Sequence, residues 1–307
     1  MLRFRKIDLL SNLIAYLQYS LYLPLHISVE VNNFRHLVNA YMHGFLSMMR
    51  SRSLITSSNS FIGAHLKKDS LVRGINGSFF IVRRKSEDLQ FVSPLSEARE
   101  FTFIKRYIMK YRNSLKKSSS ILTTTVFVDV GAHIGKYAIN IAKLVDKVIA
   151  IEPDPYNFTV LKMNIILNGF KNIIPVKMVV GSHNGKVPFV SRHAFTAHSH
   201  VVRDHLRNGN IKIAYLKCRP LDSLLSELGL LGGDNMYFVK IDVEGYEIEV
   251  LQGMKKTLEN TKCLMIETTY KHLRDILKLL PKSFRLLYFF KYPTILNLLL
   301  ENPNLTV

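Results

Sequence analysis

The chain has 307 residues, 48% of them hydrophobic, which is enough apolar material for one large or two small packed domains. That composition excludes a disordered or collagen-like chain, and two cysteines (Cys218 and Cys263) without a CxxC pair exclude a cysteine zinc ribbon or redox motif. Lys and Arg number 42 against 23 Asp and Glu, a net charge of +19, which speaks about partners rather than fold.

The excess charge is uneven. Residues 1–120 hold 19 basic and 7 acidic side chains, a net of +12. They read as a basic N-terminal extension, whose charge is either a solvated face or a docking face for lipid headgroups or nucleic acid. Leu9–Val29 is a 21-residue stretch free of Asp, Glu, Lys and Arg. Ser11, Asn12, Gln18, Ser20, Pro24 and His26 interrupt it, while Leu10, Leu13, Ile14, Leu17 and Leu21 form one helical stripe. An amphipathic helix, lying on a membrane or packed on the domain, fits better than a span or a secretory signal. Peripheral membrane contact through residues 1–30 is the expectation. Two lone thiols suit a reducing, cytoplasmic location.

Residues 1–66 read as mostly helical, broken at the Ser-rich Ser51–Ser60. Leu71–Val72 and Phe79–Val82 flank Gly74 and an Asn76-Gly77 turn, which predicts a β-hairpin. Residues 97–112 read as a basic helix, and Lys116–Ser120 as a linker with a domain boundary near 120.

From Ile121 to the end, apolar runs alternate with helical patterns. Strands are predicted at Val126–Val130, Val148–Ile151, Ile173–Val180, Tyr237–Val243, Cys263–Glu267, Arg285–Phe290 and Ile295–Leu300. Helices are predicted at Lys136–Val145 and Pro155–Asn168 and from Tyr246 and Tyr270. Continuous apolar strands alternating with helices imply an α/β fold, a doubly wound, mostly parallel sheet covered on both faces.

The first strand of this half ends in Asp129-Val130-Gly131-Ala132-His133-Ile134-Gly135, and a helix follows. Strand, glycine turn and helix make a nucleotide site. The next strand ends in Glu152, 23 residues beyond Asp129, where a carboxylate can bind two ribose hydroxyls. The spacing Gly131-x-x-x-Gly135 departs from the dinucleotide G-x-G-x-x-G. An acidic Asp129 sits badly beside a pyrophosphate but suits a ligand with a sulfonium and an amino group, which favours S-adenosylmethionine over NAD. The plainer alternatives are that Asp129 caps the loop and that Glu152 is a solvated strand end.

These residues carry a resemblance. Val128–Gly135, Glu152-Pro153-Asp154-Pro155 with Asn164 and Asn168, Lys240-Ile241-Asp242-Val243-Glu244-Gly245-Tyr246-Glu247, Val250–Gly253 and Ile266-Glu267 together resemble the FkbM family of S-adenosylmethionine-dependent methyltransferases. The likeness covers about residues 69–290, and Lys-Ile-Asp-Val-Glu-Gly is its most specific part. It implies a Rossmann-like methyltransferase domain over 121–307 and methyl transfer, usually to oxygen, on glycans, lipid-linked sugars or other small hydroxyl compounds. Carried over by position, Asp129, Gly131, His133, Gly135 and Glu152 would bind cofactor, and Lys240, Asp242 and Glu244 would lie where cofactor meets acceptor. The family usually has Asn at the position of His133.

A hydroxyl is a weak nucleophile and needs a base or a metal. Asp242, at the carboxyl end of a central strand, and Glu267, ending the next, could hold Mg²⁺ against an acceptor oxygen; otherwise one carboxylate is the base. The alternative is that Lys240, Asp242 and Glu244 form an ion-pair cluster bracing the turn at Gly245. His183, His193, His198, His200 and His205 fall within 23 residues, and their segment reads as a substrate-facing or solvated loop rather than a metal site. Two other functions compete. An RNA methyltransferase fits the charge and the Glu152–Asn168 segment, although no Asn-Pro-Pro-Tyr-like element follows the fourth strand. A non-catalytic membrane-surface binding protein would have lost cofactor affinity.

Overall fold

A computed structural model describes residue 66 and residues 68–74, 77–92, 96–117, 123–191, 199–202 and 213–305. Residues 1–30, Ser51–Ser60, Asn76, Ser118–Ser120, His193, His198 and His205 lie outside that set. The described chain divides into two compact units, one ending at Ala98 and one beginning at Arg99.

In the first unit, β1 (Ser70–Arg73) pairs antiparallel with β2 (Phe79–Val82), as the turn residues predict. Val72, Phe80 and Val82 are buried, together with Leu89 and Val92 of the short helix α1 (Asp88–Val92). Arg83 grips the buried Asp88 with two charge-assisted bonds of 2.7 and 2.8 Å. A side chain at Gly74 would come within 2.8 Å of the Phe80 ring, so the strand can pass that ring only as glycine.

The second unit opens with α2 (Ala98–Lys117), so the helix grouped by sequence with the extension lies almost wholly with the sheet. Phe101, Ile104, Ile108 and Tyr111 recur at spacings of 3 and 4 and are buried. There follow β3 (Thr124–Val130), α3 (Lys136–Ile141) with a 3₁₀ turn at Ala142–Leu144, β4 (Lys147–Ile151) and α4 (Pro155–Leu167). Next come β5 (Ile173–Val176), β6 (Val179–Val180), β7 (Gly185–Val190), β8 (His200–Val201), β9 (Ile213–Arg219) and α5 (Leu221–Glu227). The chain continues with β10 (Asn235–Ile241), α6 (Glu247–Gln252), α7 (Lys255–Glu259), β11 (Thr261–Thr269), α8 (Leu273–Leu279), β12 (Arg285–Lys291) and β13 (Ile295–Glu301).

Seven strands form one sheet in the order β12-β13-β11-β10-β3-β4-β5. The five strands from β11 to β5 are parallel, and β13 runs antiparallel to both its neighbours. One face packs Val126, Val128, Tyr237, Val239 and Ile266 against Leu224 of α5, Leu251 of α6, Leu258 of α7 and Ile276 of α8. On the other face Phe238 meets the edges of Tyr107 and Tyr111 of α2. This is the doubly wound, mostly parallel α/β fold that the apolar runs predict, Rossmann-like in its order.

The run Ile173–Val180, predicted as one strand, is two. β5 edges the large sheet, whereas β6 joins a four-stranded sheet, β6-β9-β7-β8, of which the sequence reading contains no trace. Among the described residues no helix is long and apolar enough to cross a membrane.

Candidate active site

Strand order reverses between β3 and β10. The chain leaves β3 toward β4 and β5, and leaves β10 toward β11 and β13. Open α/β sheets bind ligands at such a switch point, beyond the carboxyl ends of the strands. Lys240 pairs with Asp129 in the ladder, and the Asp242 N–H donates to the Val130 carbonyl at 3.0 Å. The two loops therefore leave the sheet side by side. A Cβ on Gly131 would lie 1.8 Å from the Asp242 carbonyl oxygen, so no side chain fits there whatever the turn requires.

The loop after β3 is pinned from several sides. His133 has φ +51° and Gly135 φ +97°. The left-handed region tolerates Asn and His best among non-glycine residues, a physical reason for either type at position 133. The His133 N–H donates to Glu152 Oε2 at 2.8 Å, and the Asp154 N–H to Glu152 Oε1 at 2.9 Å. Asn164 Nδ2 holds the Ile134 carbonyl at 3.0 Å. A side chain at Gly135 would meet Leu161 at 2.7 Å, so α3 starts close against α4. Asp129 is 1% exposed, and its Oδ2 accepts the Ala138 N–H at 3.1 Å. The capping role offered by the sequence is thus present.

Glu152 is not a solvated strand end. It is buried, and burial pushes its carboxyl up to about 7, against the bonds from the Asp154 and His133 N–H groups and the Asn157 side chain that pull it down.

The loop after β10 differs. The Lys240 ammonium is buried, 3.0 Å from Asp242 Oδ2 and 3.8 Å from Asp129 Oδ1, and it lies over the Tyr137 ring at 5.1 Å. One cation is thus shared by carboxylates from both loops. Asp242 keeps partial exposure, and Glu244 (φ +52°) is exposed. The predicted Lys240–Asp242 pair exists, but the Gly245 N–H is held at 2.7 Å by Glu247, not by Glu244. Carboxylate oxygens of Asp242 and Glu267 come within 4.8 Å of one another. His183 is exposed with its Nδ1 3.3 Å from the Ser182 hydroxyl, and His200 is part of β8. Among the described residues no histidine belongs to a set of metal-spaced ligands.

The Methyltransferase FkbM domain model matches residues 129–290, more than half of the chain and every site residue named above. The chain belongs to the FkbM methyltransferase family. Hexuronic acid methyltransferase AglP of Haloferax volcanii is 32% identical to this FkbM chain over 142 residues, 46% of this chain and 55% of that protein. The chain thus spans about half the length of this relative. Two solved structures are also similar. The tRNA m1G37 methyltransferase of M. jannaschii is 17% identical, with a TM-score of 0.40 over 77% of this chain and 58% of that one. Trm5b of Pyrococcus abyssi is 14% identical, with a TM-score of 0.42 over 76% and 56%.

Three residues of the FkbM segment were quoted in its motifs but assigned no role by sequence. Asn164 and Glu247 each hold one loop backbone, as described. Asp154 caps α4 through the N–H groups of Tyr156 and Asn157, and its other oxygen accepts the hydroxyls of Ser191 and, at 3.0 Å, Ser199. An Asp before Pro155 is a helix N-cap signal readable in advance. Its second task is not, since Ser191 and Ser199 reach it only in three dimensions.

Proposed function

We propose that this chain is an S-adenosylmethionine-dependent methyltransferase that methylates a hydroxyl of a glycan, lipid-linked sugar or other small metabolite. The observation that carries it is the pairing of Lys240 with Asp242 at the switch point, beside a loop held by a buried Glu152. The donor set suits the cofactor. Glu152 directly follows β4 beside the glycine loop, where a ribose would meet it; burial raises its pKa, and two hydroxyls donating to it would favour the ionised form. Asp129, Gly131, His133 and Gly135 would line the rest of the cofactor site. When bound, S-adenosylmethionine supplies an electrophilic methyl group.

Asp242 accepts the proton of the acceptor hydroxyl. Lys240, 3.0 Å from that carboxylate, keeps it oriented, and Glu244, at the exposed mouth, binds polar groups of the acceptor. A glycan acceptor is favoured by the relative AglP, named as a hexuronic acid methyltransferase. Asp242 and Glu267, whose carboxylate oxygens lie within 4.8 Å of one another, would hold a Mg²⁺, which would supply Lewis-acid activation of the acceptor hydroxyl. Chelator-sensitive turnover would support the metal, whereas full activity in chelator would assign Asp242 as an unaided base.

The test is calorimetric titration of S-adenosylmethionine and of NAD into the full chain and into Glu152→Ala, followed by labelled-methyl transfer to uronic-acid glycans and to tRNA. The expected result is binding of S-adenosylmethionine but not NAD, weakened about tenfold or more in the variant, roughly 1.4 kcal/mol. No binding to the folded protein overturns the reading. Transfer to tRNA alone overturns the acceptor class.

A further inference from the structure

One edge of the large sheet exposes a run of large apolar side chains. Among the described residues β12 ends the sheet, and no described strand pairs with the outer side of its backbone. Natural edges are blunted by charge, shortness or cover, because a long apolar edge invites association. Here Leu286, Tyr288 and Phe289 are each at least 50% exposed. The ladder places Leu286 and Phe289 on one face of the strand, opposite Leu300 and Leu298, and Tyr288 on the other, opposite Leu299. Both faces of the edge are therefore apolar.

The patch continues beyond the strand. Tyr288 stacks on Phe103 of α2 at 6.1 Å, and Arg106 and Lys110, one and two turns further along that helix, are exposed. At the other end, the Tyr270 hydroxyl donates to the Tyr292 carbonyl at 2.8 Å, and Lys291 lies over the Tyr270 ring at 5.9 Å. From Tyr270 to Thr294 there are six Lys and Arg and one acidic residue, Asp275; Lys278 is paired with Asp275 and Arg285 with Glu301, and Lys271, Arg274, Lys282 and Lys291 make up the rest.

We infer that the β12 edge docks on an anionic lipid bilayer. Exposed Leu and Phe insert among the acyl ends of the headgroup layer, Tyr rings sit at headgroup depth, and the surrounding Lys and Arg meet lipid phosphates. The open backbone edge stays in the hydrated headgroup layer, where water still pairs it. A second copy fits worse. It would bring the same excess of Lys and Arg, since Asp275 and Glu301 are already paired with Lys278 and Arg285. Nucleic acid would use the rings for stacking but has no use for exposed Leu286. The inference uses none of residues 1–30 and is independent of the proposed reaction.

The experiment uses the full chain with one added thiol. Cys218 and Cys263 are both buried, so Phe289→Cys and Leu286→Cys take an environment-sensitive fluorophore selectively, and Ile166→Cys, at a 78% exposed site on α4, serves as control. Vesicles of phosphatidylcholine alone are compared with vesicles that also contain phosphatidylglycerol. The expected result is a blue shift at 289 and 286 but not at 166, with affinity at least about tenfold higher for the anionic vesicles and falling with added salt. No shift at 289 with anionic vesicles overturns the inference, even if residues 1–30 bring the protein to the membrane. A shift without vesicles that grows with protein concentration assigns the edge to a second copy, and a shift with tRNA but not with vesicles assigns it to nucleic acid. Either outcome overturns the lipid reading.

Discussion

The two loops at the switch point begin alike, each at the end of a parallel strand with an acidic residue, yet they are built for different work. In the loop after β3 the carboxylates of Asp129 and Glu152 and the amide of Asn164 are buried and bonded to backbone groups. In the loop after β10 the buried Lys240 holds an Asp242 that keeps access to solvent, and Glu244 stands outside. The first is tied down by hydrogen bonds to buried side chains, and the second leaves Asp242 and Glu244 accessible. Pre-organisation in the first lets the second be sparsely supported.

The largest effect comes from breaking the crossing itself. Gly131→Ala forces a Cβ into the Asp242 carbonyl at a residue with φ +84°. We expect destabilisation of about 4 kcal/mol, read as a fall in denaturant midpoint, with cofactor binding lost. Asp242→Asn should separate the loops functionally: turnover falls by about 10²–10⁴-fold, while S-adenosylmethionine affinity changes little. If affinity collapses with turnover, Asp242 belongs with the first loop instead.

Glu152 supplies a pH signature. Its folded pKa, about 7, lies above the ordinary 4.5, so the folded state binds the extra proton between those values. Its contribution to stability is complete below pH about 4.5 and is lost as pH rises through about 7, at most on the order of 3 kcal/mol. Glu152→Gln should remove that slope from denaturation midpoints measured across the interval. Hydroxyl donors favour the ionised carboxylate, so wild-type cofactor affinity should rise from pH 6 to pH 8, and the variant should be flat.

The smallest effect is at the rim, where Arg112 of α2 bonds the Leu144 carbonyl and Asp146. The Asp146 side chain is 42% exposed, so Arg112→Ala should cost only about 0.5 kcal/mol and leave both loops' properties unchanged.

Much of the large sheet was readable because β3, β4, β10, β11 and β13 are largely buried on both faces and appear as mostly apolar runs. The small sheet was not. β9 exposes Ile213, Ala214 and Tyr215, and β7 begins Gly185-Lys186 on exposed backbone, so neither shows an apolar run or clean alternation. The split of Ile173–Val180 was equally hidden, since hydropathy does not say which sheet a residue joins.

At the site, residue types and local spacing determined the glycine turn, the acidic residues Asp129, Glu152 and Asp242 at strand ends and the family, because each is a property of a few consecutive residues; Glu267, expected to end its strand, lies two residues inside β11. Tertiary structure alone decided that Lys240 bridges two carboxylates, that Glu247 rather than Glu244 braces Gly245, and that Gly131 is demanded by a neighbouring backbone. The first and last depend on the register between β3 and β10, strands more than a hundred residues apart in sequence, and the second on the turn that the chain takes after β10.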